Sequence, residues 1–337
     1  MIEITDSFDK VQWDNFVSDH PHGNIFQTTE MVEVYRQAKN YEPVSLAAVD
    51  TVSGDIFAVV QAAVICEISG IGSSFSARSV IHGGPLAFES REGTEAVSVL
   101  MGQYNALMKR KAIYTQIRNI WDIQESKQML ESLGYTYSDH LNYLIDLDRT
   151  ADTVWQSIHK SRRKGINRAE KAGIEIKKIE NDDELVDSYN LIEQTYRNVR
   201  MPIADISLFR AVYNLFAPTG MADFYMAIQD GMPVGTRVVL KYNDLVYDWY
   251  AGSKKEVEYV DEALVWCVLK ENAGTYKTFD FGGAGHPSKP YGVREFKRRF
   301  GGKEVNFGRY EKTHDKFKNR IAEVGYGIYK KLKCGQF

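Results

Sequence analysis

The spacing of apolar positions changes along the chain, and each change marks an element. Val11, Trp13, Phe16 and Val17 fall near one helical face, and after Thr28 and Thr29 the residues Met31, Val34 and Tyr35 predict a second helix. From Pro43 the period becomes strand-like: PVSLAAVD to Asp50, turn chemistry at Ser53-Gly54-Asp55, then the return run IFAVVQAAVIC from Ile56 to Cys66. Another strand passes through Ser79-Val80-Ile81 towards a bend at Gly83-Gly84-Pro85. Two helix-then-strand units follow, ending in the alternating run Tyr143 to Leu147.

The pattern restarts near Asp152. The segment DTVWQSIHKSRRKGINRAEKAG predicts one helix, capped by Asp152 or Thr153 and stopped by Gly173. Strand Ile174 to Ile179 comes next, then a helix from Asp183 to Arg197 with Leu185, Tyr189, Ile192 and Tyr196 on its apolar face, and another around Leu208 to Phe216. MADFYMAIQ, PVGTRVVLKY and LVYDWYAGS, separated by Asp230-Gly231 and Asn243-Asp244, predict a three-stranded meander. Helix Asp261 to Asn272 and strand Thr278 to Phe281 follow, and a last helix, Asp315 to Lys333, spaces Ile321, Val324, Ile328 and Leu332 helically. Each half runs through helices, then tightly turned strands, then helix and strand, which predicts a duplicated α/β unit.

Composition agrees with two domains. The chain has 337 residues, against roughly 100–200 per domain, and its 44% hydrophobic and 26% charged content is that of a globular protein rather than a disordered one. With 42 Lys and Arg against 45 Asp and Glu the net charge is −3, so coating DNA through bulk positive charge is excluded and an anionic partner must meet a local basic patch. No apolar run reaches the about 20 residues needed to cross a bilayer, and the N-terminal MIEITDSFDK lacks the basic-then-apolar pattern of a signal peptide. Cys66, Cys267 and Cys334 are too scattered for a disulfide framework or a zinc site, and His20 and His22 have no ligands at metal spacing. The expectation is a metal-free protein of the reducing cytoplasm.

The most specific block is FDFGGAG, Phe279 to Gly285, followed by YGVREFKRRFGG, Tyr291 to Gly302. Gly282, Gly283 and Gly285 allow close approach of backbone to another chain or a ligand, and Arg294, Phe296, Lys297, Arg298, Arg299 and Phe300 supply cations and aromatics beside them. Such a strand exit suits an extended anionic substrate, although ordinary turns and solvated charges use the same letters. Arg162, Arg163, Lys164, Arg168 and Lys171 form a basic helical stripe, read either as a contact for nucleic-acid phosphates or as a solvated face with Glu170 and Glu175 nearby. Asp248 and Asp280, in strands, can take a proton from an ammonium or serve structural pairing.

With these segments in order, the chain resembles the Fem-type (FemABX) aminoacyltransferases, which add amino acids to peptidoglycan precursors. The resemblance rests on Phe279-Asp280-Phe281-Gly282-Gly283, Phe296-Lys297 and Phe300-Gly301-Gly302, with GNIFQT (Gly23 to Thr28), Tyr41-Glu42-Pro43, HGGPL (His82 to Leu86), SRRKGINRAEKAG (Ser161 to Gly173) and WYAGS (Trp249 to Ser253). It implies an α/β (α+β) fold of two tandem GNAT-like subdomains, mixed sheets flanked by helices: residues 1–148, residues 149–313, and a C-terminal helix, 314–337, packing back on the first. The long helical-hairpin arm of several family members has no room between Gly165 and Arg200.

The activity so implied is transfer of an aminoacyl group from aminoacyl-tRNA to an amine of a UDP- or lipid-linked muropeptide precursor, with no resident cofactor. Lys297 then stabilises the oxyanion or the departing ribose oxygen and Phe296 packs beside the reacting group, while Arg36, Tyr250, Gly282 and Gly283 are carried over to substrate binding; Arg200, in the loop RMPIAD after a helix, can clamp a substrate phosphate with its planar fork or be an ordinary surface arginine. Arg162, Arg163, Lys164 and Arg168 become the tRNA contact. The cations around the last helix would bring the enzyme to the inner face of the membrane. Two alternatives keep the fold: an acyl-CoA-dependent N-acyltransferase of envelope polymers, and a non-catalytic module binding RNA or a partner protein. The loop SKKEVEYVDEAL, Ser253 to Leu264, lacks the glycines with which CoA-dependent members of the fold meet a pyrophosphate, which favours tRNA.

Overall fold

The computed structural model describes residues 1–66 and 76–320. In chain order the elements begin β1 (Ile2–Thr5), α1 (Lys10–Asp19), α2 (Thr29–Gln37), β2 (Tyr41–Asp50), β3 (Ile56–Cys66), β4 (Ala77–His82), β5 (Leu86–Ala87), α3 (Arg91–Lys111) and β6 (Tyr114–Arg118). Next come α4 (Lys127–Ser132), β7 (Thr136–Ser138), β8 (Leu141–Asp146), α5 (Ala151–Ser157), α6 (Lys160–Lys171), β9 (Glu175–Lys178), α7 (Asp182–Asn198) and α8 (Ile206–Phe216). The last are β10 (Ala222–Gln229), β11 (Met232–Tyr242), β12 (Leu245–Ser253), α9 (Val260–Asn272), β13 (Thr278–Gly283), α10 (Gly292–Arg298), β14 (Lys303–Asn306) and β15 (Arg309–Thr313). Two units result: Met1–Ser138 with the chain from Phe307 on, and Asp139–Asn306.

In unit 1 the sheet order is β1-β2-β3-β4-β6-β15-β7, with β5 paired to β3. The almost uninterrupted apolar run of β3 reflects its place between β2 and β4, with α3 and α1 also packed on it. The polar residue within that run, Gln61, is buried, and its amide donates to the carbonyls of Phe26 (2.7 Å) and Thr28 (3.1 Å). The GNIFQT segment is thereby fixed on β3, and Trp13 Nε1 donates to the Gln27 carbonyl from α1 (2.6 Å). Helix α3 buries Ala96, Val97, Leu100, Met101, Tyr104 and Met108, a stripe at helical spacing, in the unit's core.

In unit 2 the sheet order is β14-β8-β13-β12-β11-β10-β9. Helix α9 brings Val260, Leu264, Val265, Val268 and Leu269 into one core with Val239, Val246, Phe279 and Phe281 of the sheet. Helix α7 packs on β11 and β12 so closely that only glycine fits at one point. A methyl added to Gly252 would lie 2.5 Å from the Leu191 carbonyl oxygen and 2.6 Å from Ile192 Cα.

Several expectations need correction. The boundary expected at residues 148 and 149 is crossed by pairing: β8 joins β13 and β14 in unit 2, whereas β15 joins β6 and β7 in unit 1. The single helix expected from Asp152 to Gly173 is broken at Ile158 and His159, both extended, where the His159 ring accepts from Ser161 N and caps α6. Strand β1 and helix α10 were not expected from the pattern. Of the helix expected over Asp315–Lys333, residues 316–320 are helical and capped by Asp315; the remainder, with its packing, its membrane contact and Cys334, lies outside the described residues.

The close contact at Gly252 gives a stability test. Gly252→Ala pushes α7 off its sheet and costs on the order of 1–3 kcal/mol, read as a lower urea midpoint. Gly102→Ala, in α3 with open space around it, gains about 0.5–1 kcal/mol. Equal responses at the two sites would contradict the packing.

Candidate active site

Strands β12 and β13 run parallel, yet they pair only over Leu245↔Thr278, Val246↔Phe279 and Tyr247↔Asp280. Beyond that level β12 continues along β11 to Ser253, while β13 continues along β8 to Gly283, and a fork opens between them. Two irregularities shape it. Trp249 is an extra residue in β12, because Val238 faces Tyr250 and Val239 faces Asp248. The bulge sends Asp248 towards the α9 side of the sheet with Val239, and Tyr250 towards Phe209 of α8 and Tyr196 of α7, at ring separations of 4.7 and 5.6 Å. On β13 the register shifts between Asp280 and Gly283, where Gly282 takes φ +66 and its N–H is held by Asp280 Oδ1 (2.7 Å).

Helix α10 delivers Lys297 to this strand end. Its Nζ donates to the carbonyls of Phe281 (2.5 Å), Gly283 (3.0 Å) and Gly282 (3.5 Å). Three backbone oxygens thus converge on one ammonium, and the Gly282 contact is the loosest. Arg294 secures the connection before α10, donating to the carbonyls of Ala284 (3.1 Å), Pro287 (3.1 Å) and His286 (2.5 Å).

Beneath the fork lies a buried charged network. Arg237 and Asp248 are 4% and 9% exposed, and Arg237 Nη1 donates to Asp248 Oδ2 (2.5 Å). Arg237 Nη2 also lies 3.7 Å from Asp261 of α9, which accepts from Ser253 Oγ (2.9 Å). The other Asp248 oxygen, Oδ1, is buried without a hydrogen-bond partner. Asp280 is fully buried and accepts two bonds from Asn142 Nδ2, both 3.1 Å. Burial pushes its carboxyl up to about 6, against the Gly282 N–H, Asn142 and Lys297, which favour the anion. Burial also lowers the Lys297 ammonium from its ordinary value, opposed by the charges of Asp248 and Asp280 and aided by Arg237. Tyr196 is raised by burial, and then by Tyr250, Asp248, Tyr291 and Tyr247.

The structure therefore brings together Lys297, Gly282, Gly283, Asp280 and Asp248 of the residues singled out from sequence, whereas Tyr250 turns to the opposite face, against Phe209 and Tyr196. Phe296 packs on Phe300 (5.1 Å) and lies under the Arg162 guanidinium (4.4 Å). Arg36 sits on α2 in unit 1, exposed and paired with Glu33 one turn away. Arg200 lies in the exposed loop after α7 with left-handed backbone, φ 56.

The basic stripe divides. Arg162 turns inward, 19% exposed and bonded to Glu262 (2.6 Å), and Arg168 donates to Tyr259 Oη (2.6 Å). Lys160, Arg163, Lys164, Arg168 and Lys171 line one open cavity of about 450 Å³ with Trp155 and Asn167. Sequence reasoning missed Arg237, a charge in the middle of the apolar stretch Val234 to Leu240, which was the signal that could have found it. Among the described residues no group of His, Cys, Asp and Glu is placed to hold a metal ion, and no helix is long and apolar enough to cross a membrane.

Comparison with known proteins bears on this arrangement. Residues 156–298 match the family described as acetyltransferase (GNAT) domain. No curated protein matches the sequence. Among solved structures, FemX is 16% identical with a TM-score of 0.70, over 92% of this chain and 97% of FemX. A tandem GNAT protein from the clavulanic acid biosynthesis pathway is 13% identical with a TM-score of 0.63, over 93% of this chain and 99% of its own. L-PGS from Bacillus licheniformis is 15% identical with a TM-score of 0.57, over 96% and 98%. The fork, the glycine-rich strand end and the helix behind it lie largely within the matched GNAT domain, and the chain has the tandem GNAT fold of the Fem type, with an acyltransferase domain of GNAT type in its second unit.

Proposed function

We propose that this chain transfers an aminoacyl group from aminoacyl-tRNA to an amine of a UDP- or lipid-linked cell-wall precursor peptide, and that it works in the cytoplasm. The observation that carries the proposal is the position of the Lys297 ammonium at the fork of β12 and β13, held by three carbonyls of which one is loosely bound. A neutral amine is already a competent nucleophile for an ester, so the site has to align the reactants and stabilise the oxyanion. A C–N bond forms, the ester C–O bond breaks, and the proton lost by the attacking nitrogen ends on the departing ribose hydroxyl. Lys297 turns its loosest donor, the one 3.5 Å from the Gly282 oxygen, towards the oxyanion or the departing oxygen. Its lowered pKa makes that proton easier to share. Asp248, anchored by Arg237, offers its free oxygen to take a proton from the acceptor ammonium, which leaves the neutral amine that attacks. The cations of the α6 cavity meet tRNA phosphates, Arg162 excepted because Glu262 and Phe296 hold it.

The second reading, acyl-CoA as donor, is favoured by the family description of residues 156–298. The start of α9 speaks against it. A diphosphate is well received at a helix N-terminus, but the first turn of α9 carries Asp261 and Glu262, and the preceding Tyr259 has φ 65 with no side-chain cap. Two carboxylates at that end oppose an anion.

Incubation with labelled aminoacyl-tRNA or acetyl-CoA and a panel of UDP- and lipid-linked muropeptides tests both. Product from aminoacyl-tRNA and none from acetyl-CoA is expected; the reverse would replace the first reading by the second. In the productive pair, Lys297→Met, folded by circular dichroism, loses on the order of 100–1,000-fold in turnover. Turnover near wild type would remove the assignment.

Asp280 gives a pH signature. Its folded pKa, about 6, lies above the ordinary carboxylate value, so the stability it contributes is complete below about pH 4 and is lost as pH rises through 6. Relative to Asp280→Asn, the wild type should lose on the order of 2–3 kcal/mol between pH 4 and 7. Its turnover should rise through pH 6, and the variant should lack that rise. Urea midpoints that stay parallel for the two proteins would contradict the assignment.

A further inference from the structure

Helix α6 carries most of its cations on one face. Lys160, Arg163, Lys164 and Lys171, with Asn167 among them, stand at helical spacing, whereas Gly165, Ile166 and Ala169 are buried on the opposite face. Those five side chains line the open cavity of about 450 Å³ together with the half-buried Trp155 of α5, and no carboxylate lines it. Lys160, Arg163, Lys164 and Lys171 form no ion pair with any described residue, and the Asn167 amide makes no hydrogen bond among them. Their neighbours Arg162 and Arg168 are already taken, by Glu262 and by the Tyr259 hydroxyl. The indole of Trp155 leans on Trp266 of α9, with ring centroids 4.8 Å apart at 53°, and so is fixed at the edge of the unit's core.

Like charges three or four residues apart on a helix repel, as Lys160 does with Arg163 and Lys164, and an anion in the cavity relieves that cost. Helix α6 also adjoins the site built around Lys297. It starts where α10 ends: the His159 N–H donates to the Arg299 carbonyl (2.9 Å), and Arg162 covers Phe296, the residue before Lys297. A strand whose end lies at Lys297 has α6 as its neighbour.

We infer that this cavity holds an unpaired segment of RNA: one base stacks on the Trp155 indole, the Asn167 amide bonds its edge, and Lys160, Arg163, Lys164 and Lys171 meet the phosphates on either side. The inference rests on the reading of tRNA as the donor, and adds which part of that RNA is recognised and by what. A cationic groove with an aromatic platform is the usual means of holding a single strand. A paired stem would meet the lysines with its phosphates and leave Trp155 and Asn167 unused, because its bases are stacked on one another and their edges are paired.

Fluorescence anisotropy of the full chain with two synthetic RNA hairpins tests the site, one hairpin ending in four unpaired 3′ nucleotides and the other blunt. Wild type binds the first about tenfold more tightly or better. Trp155→Leu brings the two affinities together and Trp155→Phe keeps most of the difference. Lys164→Gln weakens both hairpins alike and lowers the slope of log affinity against log salt by about 0.7–0.9. If Trp155→Leu does not fold, Asn167→Ala, on the exposed face of α6, takes its place and narrows the difference. Equal binding of the two hairpins by wild type, or a folded Trp155→Leu with the preference intact, would overturn the proposal, as would tighter binding of phosphatidylglycerol vesicles than of either RNA. The readout needs no turnover. A chain that prefers the overhang yet takes its acyl group from acetyl-CoA refutes the donor and not the site; equal binding alongside aminoacyl transfer from tRNA does the reverse.

Discussion

One ammonium organises the candidate site of this chain. Lys297 gathers the last three carbonyls of β13, and these point inward only because the strand is deformed at Gly282. The deformation has its own support, since Asp280 takes the Gly282 N–H and is held by Asn142 from β8. An uncompensated buried charge is costly, so the cation, the two aspartates and Arg237 stand or fall together. Removing any one of them leaves another without its counter-charge.

The same arrangement explains why the fork is open. Parallel pairing of β12 and β13 ends after three residue pairs, and the bulge at Trp249 turns Asp248 and Tyr250 to opposite faces. An acid and an aromatic that lie two apart in sequence would otherwise share a face. The bulge lets one short segment supply the charged network on one side and the aromatic cluster on the other.

Much of the fold was legible in the sequence because it is written locally. The strand run of β3, the turns at Asp230-Gly231 and Asn243-Asp244, and the stripe of α7 are signals of period and turn chemistry. What failed to show was non-local. Nothing in LNYLID says that it pairs with β13, nor anything in RYEKT that it returns to β6. Helix α10 was hidden because it is only seven residues long, four of them charged, and none is buried. Within the site, glycines and Lys297 were visible as a motif, and Arg237 was not, since a lone arginine in an apolar strand acquires meaning only with Asp248 beside it. Arg162 misled for the converse reason: its stripe is basic in sequence, but Glu262, a hundred residues later, draws it inward.

The most direct measurement is a crystal structure with a non-hydrolysable amide analogue of an aminoacyl ester, the aminoacyl group linked to a 3′-amino-adenosine. The account predicts the analogue's carbonyl oxygen within hydrogen-bond distance of Lys297 Nζ at the fork, replacing the contact to Gly282. An analogue bound elsewhere, with the ammonium still on its three carbonyls, would contradict it.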